Sequence, residues 1–171
     1  MKEIKILYPY PDILDFYGDN IQLHLNHTKS DHSTKMLLPF KDRLANMKII
    51  LGSQSPRRRE LLSPVVNFEV VVSNFDESKI HPEDFPSPKE FVREQAKCKC
   101  EFLTTQITDA DIIITADTIV FIDNTILGKP KSHEEAYEMI KKLNGRVHFV
   151  ETGVFIWFKS RSGEIRTLSF S

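Results

Sequence analysis

Between Lys48 and Leu62 the chain reads Lys-Ile-Ile-Leu-Gly-Ser-Gln-Ser-Pro-Arg-Arg-Arg-Glu-Leu-Leu, with consecutive arginines where a helix tolerates them least. Ile49 to Leu51 read as a short buried strand, Gly52 to Ser55 as a tight loop, and Pro56 as the first residue of a helix capped by Ser55. The arginines then occupy the first turn. The macrodipole is positive there and disfavours each exposed cation by up to about 1 kcal/mol, whereas a bound anion is favoured. An anion expected at this place removes the conflict. Ser53, Arg57 and Arg58 are therefore candidates for holding a phosphate chain, with forked guanidinium donors, hydroxyls and free N–H groups as the grip. The competing reading is a solvated basic turn on a surface helix. A glycine and two serines directly after a strand favour the functional one.

Asp117 interrupts the apolar run Asp111-Ile-Ile-Ile-Thr-Ala-Asp-Thr-Ile-Val-Phe-Ile122. An unpaired carboxylate buried in a strand costs several kcal/mol, so Asp117 must meet a cation, a hydrogen-bond network or water in a cleft. A structural aspartate satisfied by Thr118 or backbone N–H groups is the alternative. A short hairpin later comes Gly128-Lys129-Pro130. Pro130 fixes the turn, Gly128 permits close approach, and Lys129 is aimed beside the strand, a compact charge suited to phosphate oxygens.

The elements that must position these groups follow from caps and periodicity. Asn67 to Val72 reads as a second strand, followed by Phe75-Asp-Glu77 and a proline-rich connection. Ser87-Pro-Lys-Glu90 joins a serine cap, a proline in the first turn and a glutamate three residues on, which opens a helix to about Leu103 with Val92, Ala96, Cys100 and Leu103 on one face. Asp111 to Ile122 is a β-branched strand returning through Asp123-Asn124 to Thr125–Leu127. Ser132-His-Glu-Glu135 caps a helix whose Ala136, Ile140 and Leu143 share a face and which ends at Asn144-Gly145. Val147 to Lys159 and Glu164 to Phe170 are the last strands, joined by Ser160-Arg-Ser-Gly163. Strands alternating with capped helices, plus hairpins, give an α/β fold with a mixed sheet.

The 171 residues carry 40% hydrophobic and 27% charged side chains, an ordinary globular composition with room for a real core. A net charge of −1 supplies no global field for nucleic acid or an anionic membrane, so phosphate recognition has to be local. No apolar run approaches the roughly 20 residues that cross a bilayer, and the start Met-Lys-Glu-Ile-Lys lacks the apolar core of a secretory signal. The expected location is the cytoplasm. Cys98 and Cys100, two apart on a helix, point in different directions and read as free thiols. Residues 1–35, with Pro9, Pro11, Gly18 and a polar tract, read as an N-terminal extension of low order or accessory role, and 36–171 as the domain proper. His24, His27 and His32 in that tract read as solvated histidines, since no second ligand group accompanies them.

The order of motifs resembles one family. LGSQSPRRRELL, Phe75-Asp-Glu77, Gln95-Ala-Lys97, Ala116-Asp-Thr-Ile-Val120, Leu127-Gly-Lys-Pro130 and Leu143-Asn-Gly-Arg-Val-His-Phe-Val-Glu-Thr-Gly-Val154 are similar to the Maf family of nucleoside triphosphate pyrophosphatases, from about Met47 to Val154. The resemblance implies an α/β enzyme of Maf/ITPase-like fold, its mixed central sheet flanked by helices, that hydrolyses a triphosphate to the monophosphate and pyrophosphate with Mg²⁺ or Mn²⁺. By the same resemblance Ser53, Arg57 and Arg58 bind the phosphates, and Lys97 and Lys129 neutralise triphosphate charge. Asp117 activates water, with Lys129 as its catalytic companion; Asp117 also holds the metal, and Glu77 matches a family glutamate that assists in metal binding or base contact. The paired arginines after Ser-Pro and the Ala-Asp-Thr triplet resemble the branch acting on dTTP and UTP, and the lead-in Met36-Leu-Leu-Pro-Phe resembles the eukaryotic version. A homodimer is implied, and neither nucleic acid nor membrane is an expected partner.

Family members continue past the position matching Ser171 into a second lobe, so the expectation is a domain with that lobe largely missing. A cleft lacking one wall excludes water poorly. The alternative function is therefore a catalytically impaired, nucleotide-binding or protein-binding remnant of the same family. A nucleic-acid-binding module would need a wide basic face that the near-neutral charge does not provide.

Overall fold

The computed structural model describes residues 40–171 except Asn124, so the extension 1–35 and its three histidines lie outside the described residues. After a short helix α1 (Lys41–Ala45), strands β1 (Ile49–Gly52), β2 (Glu69–Val70), β3 (Ile112–Ile122), β4 (Thr125–Leu127), β5 (Phe149–Lys159) and β6 (Ile165–Phe170) form one sheet. Helices α2 (Pro56–Leu62), α3 (Pro88–Thr104) and α4 (His133–Leu143) connect them. The order across the sheet is β2-β1-β3-β5-β6, with β4 beside the far half of β3. β1 runs parallel to β2 and β3, and β3 runs antiparallel to β4 and β5, as does β5 to β6. The sheet is mixed, as the alternation of helices and hairpins required.

Each expected cap is made. Ser55, Ser87 and Ser132 accept from the backbone N–H of Arg58, Glu90 and Glu135 at 3.5, 3.3 and 3.1 Å, and Pro56 and Pro88 open their helices. Val92, Ala96, Cys100 and Leu103 are fully buried, and the last three pack on Ile50, Ile113 and Phe155 of three adjacent strands. Two glycines let this packing close. A Cβ on Gly153 would lie 2.5 Å from the Val92 carbonyl oxygen of α3, and one on Gly52 2.5 Å from Leu103 Cδ1.

Two strand expectations are corrected. The second strand is only Glu69–Val70, exposed at the sheet edge with no outer neighbour among the described residues. β5 begins at Phe149, not Val147, because its pairing ends with Phe121↔Phe149, beyond which β3 is about to turn at Asp123. On α4, Ala136 and Leu143 are buried, whereas Ile140 is 38% exposed and lines an open cavity together with Leu143.

The register leaves one gap that positions the site. β1 covers β3 from Ile112 to Thr115, and β4 covers it from Val120 to Ile122. Between them Ala116 to Ile119 have an open edge, just past the carboxyl end of β1. Open α/β sheets place their ligands outside the carboxyl ends of parallel strands.

Candidate active site

A cavity of about 950 Å³ opens over this gap, with Ser53, Arg58, Glu77, Lys99, Asp117 and Lys129 on its wall. Arg58 reaches it because the cap at Ser55 fixes the first turn of α2 beside the end of β1. Its Nη1 donates to Ser53 Oγ at 3.2 Å and to the Ala116 carbonyl at 3.0 Å, and its Nη2 donates to Thr118 Oγ1 at 2.7 Å. The arginine thus satisfies the open edge of β3. Thr118 Oγ1 lies 3.0 Å from Thr152 Oγ1 on β5, which extends the network across the sheet. Ser53, almost fully buried, also accepts from the Ser55 backbone N–H at 3.2 Å and so ties the loop into a tight turn.

On the other side of the gap, Lys99 Nζ donates to Asp117 Oδ1 at 2.5 Å and stands 3.1 Å from Glu77 Oε1. Lys99 and Asp117 are mostly buried and Glu77 is half-exposed. The carboxylate that interrupts β3 has therefore met a cation in a cleft, the first of the options its burial allowed. Asp76 orients the neighbouring turn, its carboxylate accepting from the Ser78 N–H and hydroxyl at 3.1 and 2.6 Å; those two bonds hold its carboxyl below the usual carboxylate range. Lys129 lies on the loop after β4, exposed on the cavity rim. Three cations from separate segments face two carboxylates across one hollow.

Two residues singled out from the sequence do not join them. Lys97 does not line the cavity; it donates to Glu94 at 2.9 Å, a hydrogen bond that raises its pKa, and its side chain is 40% exposed. The reason is helical phase. At about 100° per residue Lys97 stands roughly 160° around α3 from Lys99. Lys99, which sequence reasoning missed, flanks the buried Val92-Ala96-Cys100-Leu103 face. That signal was present, since the helix and its core face were both legible. Arg57 likewise lies off the cavity lining, one position around α2 from Arg58, while Arg59 turns back to donate to the Gln54 carbonyl at 2.9 Å.

The thiols are not part of the site. Cys98 and Cys100 are unbridged, and burial pushes the Cys100 thiol up to about 12 and raises that of Cys98.

A family model described as Maf-like protein matches residues 48–170. The chain is 48% identical over 111 residues to a dTTP/UTP pyrophosphatase of Clostridium beijerinckii, an overlap of 64% of this chain and 58% of that protein. It is 45% identical over 113 residues to one of Thermoanaerobacter sp., covering 64% and 56% of the two chains. To one of Lachnoclostridium phytofermentans it is 44% identical over 124 residues, covering 72% and 61%. The chain thus spans less than two thirds of the length of these relatives. A solved dITP/XTP pyrophosphatase from Mycobacterium abscessus overlaps 72% of this chain and 71% of its own at 14% identity, with a TM-score of 0.39.

Proposed function

Because the chain belongs to the Maf-like protein family, we propose that residues 36–171 act as a nucleoside triphosphate pyrophosphatase, hydrolysing dTTP or UTP to the monophosphate and pyrophosphate. The observation that carries this reading is the convergence of Arg58, Lys99 and Lys129 with Asp117 and Glu77 around one cavity. Attack of water on the α-phosphorus builds negative charge on the equatorial and leaving oxygens, so catalysis is mostly positioned cations and one proton acceptor. Arg58 and Ser53 hold phosphate oxygens from the α2 side. Lys99 and Lys129 neutralise the leaving pyrophosphate, and Asp117 accepts the water proton. Arg57, on the same turn but off the wall, supports the field without a direct contact.

The site fits a divalent cation. Glu77 and Asp117 already share one positive group, the Lys99 ammonium, and two acceptor-only carboxylates plus phosphate oxygens suit Mg²⁺ or Mn²⁺. When bound, such a cation supplies Lewis-acid polarisation of the phosphoryl oxygens. Unbridged thiols agree with a cytoplasmic setting, and a homodimer is the proposed assembly.

Pyrophosphate release from dTTP and UTP with Mg²⁺ or Mn²⁺ tests the reading. Turnover supports it. Absent turnover combined with a nucleotide-dependent rise in melting temperature would instead establish the binding-only remnant.

A further inference from the structure

Three side chains of α3 line the cavity at a spacing of one helical turn: Phe91, Gln95 and Lys99. With a rise of 1.5 Å per residue, each backbone step is about 6 Å. Lys99 marks the phosphate end through Asp117. Gln95 stands one turn away and Phe91 two. Gln95 is only 7% exposed, and among the described residues its carboxamide makes no hydrogen bond. Yet no buried side-chain N or O atom among those residues is both sealed off and unpartnered, so the amide atoms keep an opening, and Gln95 lines the cavity. A carboxamide held in place and open to the cavity can give its donor and acceptor to whatever enters.

We propose that Gln95 is a specificity-determining residue that reads the base of the nucleotide, an inference that rests on the pyrophosphatase reading of the same cavity. A carboxamide presents a donor and an acceptor side by side. The imide edge of uracil or thymine is its complement: Gln95 Nε2–H donates to the O4 carbonyl and Gln95 Oε1 accepts the N3–H. Phe91, itself only 4% exposed and packed with Ile119 in the core, keeps this end of the cavity apolar behind the carboxamide. The stripe thus measures a nucleotide along its length, ammonium for phosphate and carboxamide for base edge.

The test compares UTP with its N3-methyl analogue, which lacks the N3–H, in the wild type and in Gln95→Leu. Pyrophosphate release gives kcat/KM, and calorimetry of UMP against N3-methyl-UMP gives affinity without turnover. The wild type should disfavour the methylated base at least tenfold in both, because a site built around a hydrogen bond rejects a ligand that leaves it unpaired. Gln95→Leu should lose UTP efficiency to a similar degree and discriminate less than twofold. Wild-type discrimination below twofold overturns the proposal with no variant needed, and so does a Gln95→Leu protein that keeps the wild-type preference. Discrimination in binding without any pyrophosphate release would sink the enzymatic reading alone and leave the base contact standing. Failure of the protein to bind UMP at all would overturn both.

Discussion

Lys99 holds Asp117 and Glu77 at hydrogen-bond range, so removal of either carboxylate leaves the ammonium one anionic partner. Asp117→Asn keeps the shape of the side chain and removes the proton acceptor. Turnover should fall by about two orders of magnitude or more with only modest loss of nucleotide binding. Parallel measurement of pyrophosphate release and nucleotide affinity decides the matter, since equal losses in both would assign Asp117 to holding the metal or the fold. The guanidinium opposite is oriented by Ser53, the Ala116 carbonyl and Thr118. Thr118→Val deletes the acceptor at 2.7 Å from Arg58 Nη2 while preserving the volume of the side chain. One such bond contributes about 1 kcal/mol, so triphosphate affinity should weaken roughly fivefold, and loss of the Arg58 and Thr152 contacts together should lower the melting temperature by a few degrees. An unchanged affinity would mean that Ser53 and Ala116 alone aim the arginine. The buried Cys100 thiol offers a pH signature. Its folded pKa lies near 12, above the ordinary value of 9, so above pH 9 the unfolded chain loses a proton that the folded chain keeps. Stability therefore falls with rising pH by up to about 1.4 kcal/mol per unit between those values. The wild type should lose more stability than Cys100→Ala over pH 9–11 in denaturant titrations, and parallel curves would refute the assignment.

At the scale of elements, α3 sets the geometry of the cleft, and Gly153 sets how near α3 lies to the sheet. It pairs with Asp117 across β3 and β5, and a Cβ there would lie 2.5 Å from one backbone atom of α3 and 2.7 Å from two others. Gly153→Ala has no flexible neighbour to displace. The helix must lift, at a cost of about 1–3 kcal/mol typical of overpacking, and lifting it moves Lys99 from Asp117. Urea unfolding should register that loss together with a drop in kcat, whereas full stability would show that the helix has room to move. This contact also marks the limit of the sequence reading. Ser55, Ser87 and Ser132 announced their helices because capping is local chemistry, and the β-branched run announced β3 for the same reason. Whether Lys97 or Lys99 enters the cleft is decided by where that helix packs. The buried stripe from Val92 to Leu103 held that answer, but the motif Gln95-Ala-Lys97 drew attention to the wrong side of it. Arg58 over Arg57 is the same case, because only the open edge of β3 at Ala116 distinguishes them.

Across the whole molecule, charge and apolar surface are distributed unevenly. A net charge of −1 coexists with a local excess of cations on the cavity wall, so the chain as a whole supplies no field for a polyanion and any such attraction is local to that wall. Among the described residues no helix is long and apolar enough to cross a membrane. The apolar surface gathers elsewhere, on β6. Register places Phe170 beside Val154 and Leu168 beside Ile156, so these four share one face of the hairpin, and Leu168 and Phe170 are 58% and 48% exposed. The opposite face meets α3, where Arg93 Nε donates to Ser169 Oγ at 3.3 Å. Among the described residues the outer edge of β6 pairs with nothing. A six-residue edge strand with bare leucine and phenylalanine is a template for a second copy of itself. The protein should therefore associate with rising concentration in sedimentation velocity. Leu168→Lys, a charge on the exposed face and remote from the cavity wall, should shift the distribution toward monomer at equal concentration while pyrophosphate release per chain is retained. A wild type that stays monomeric from micromolar to several hundred micromolar would refute self-association. A Leu168→Lys protein that associates as strongly as the wild type would move the interface to another face.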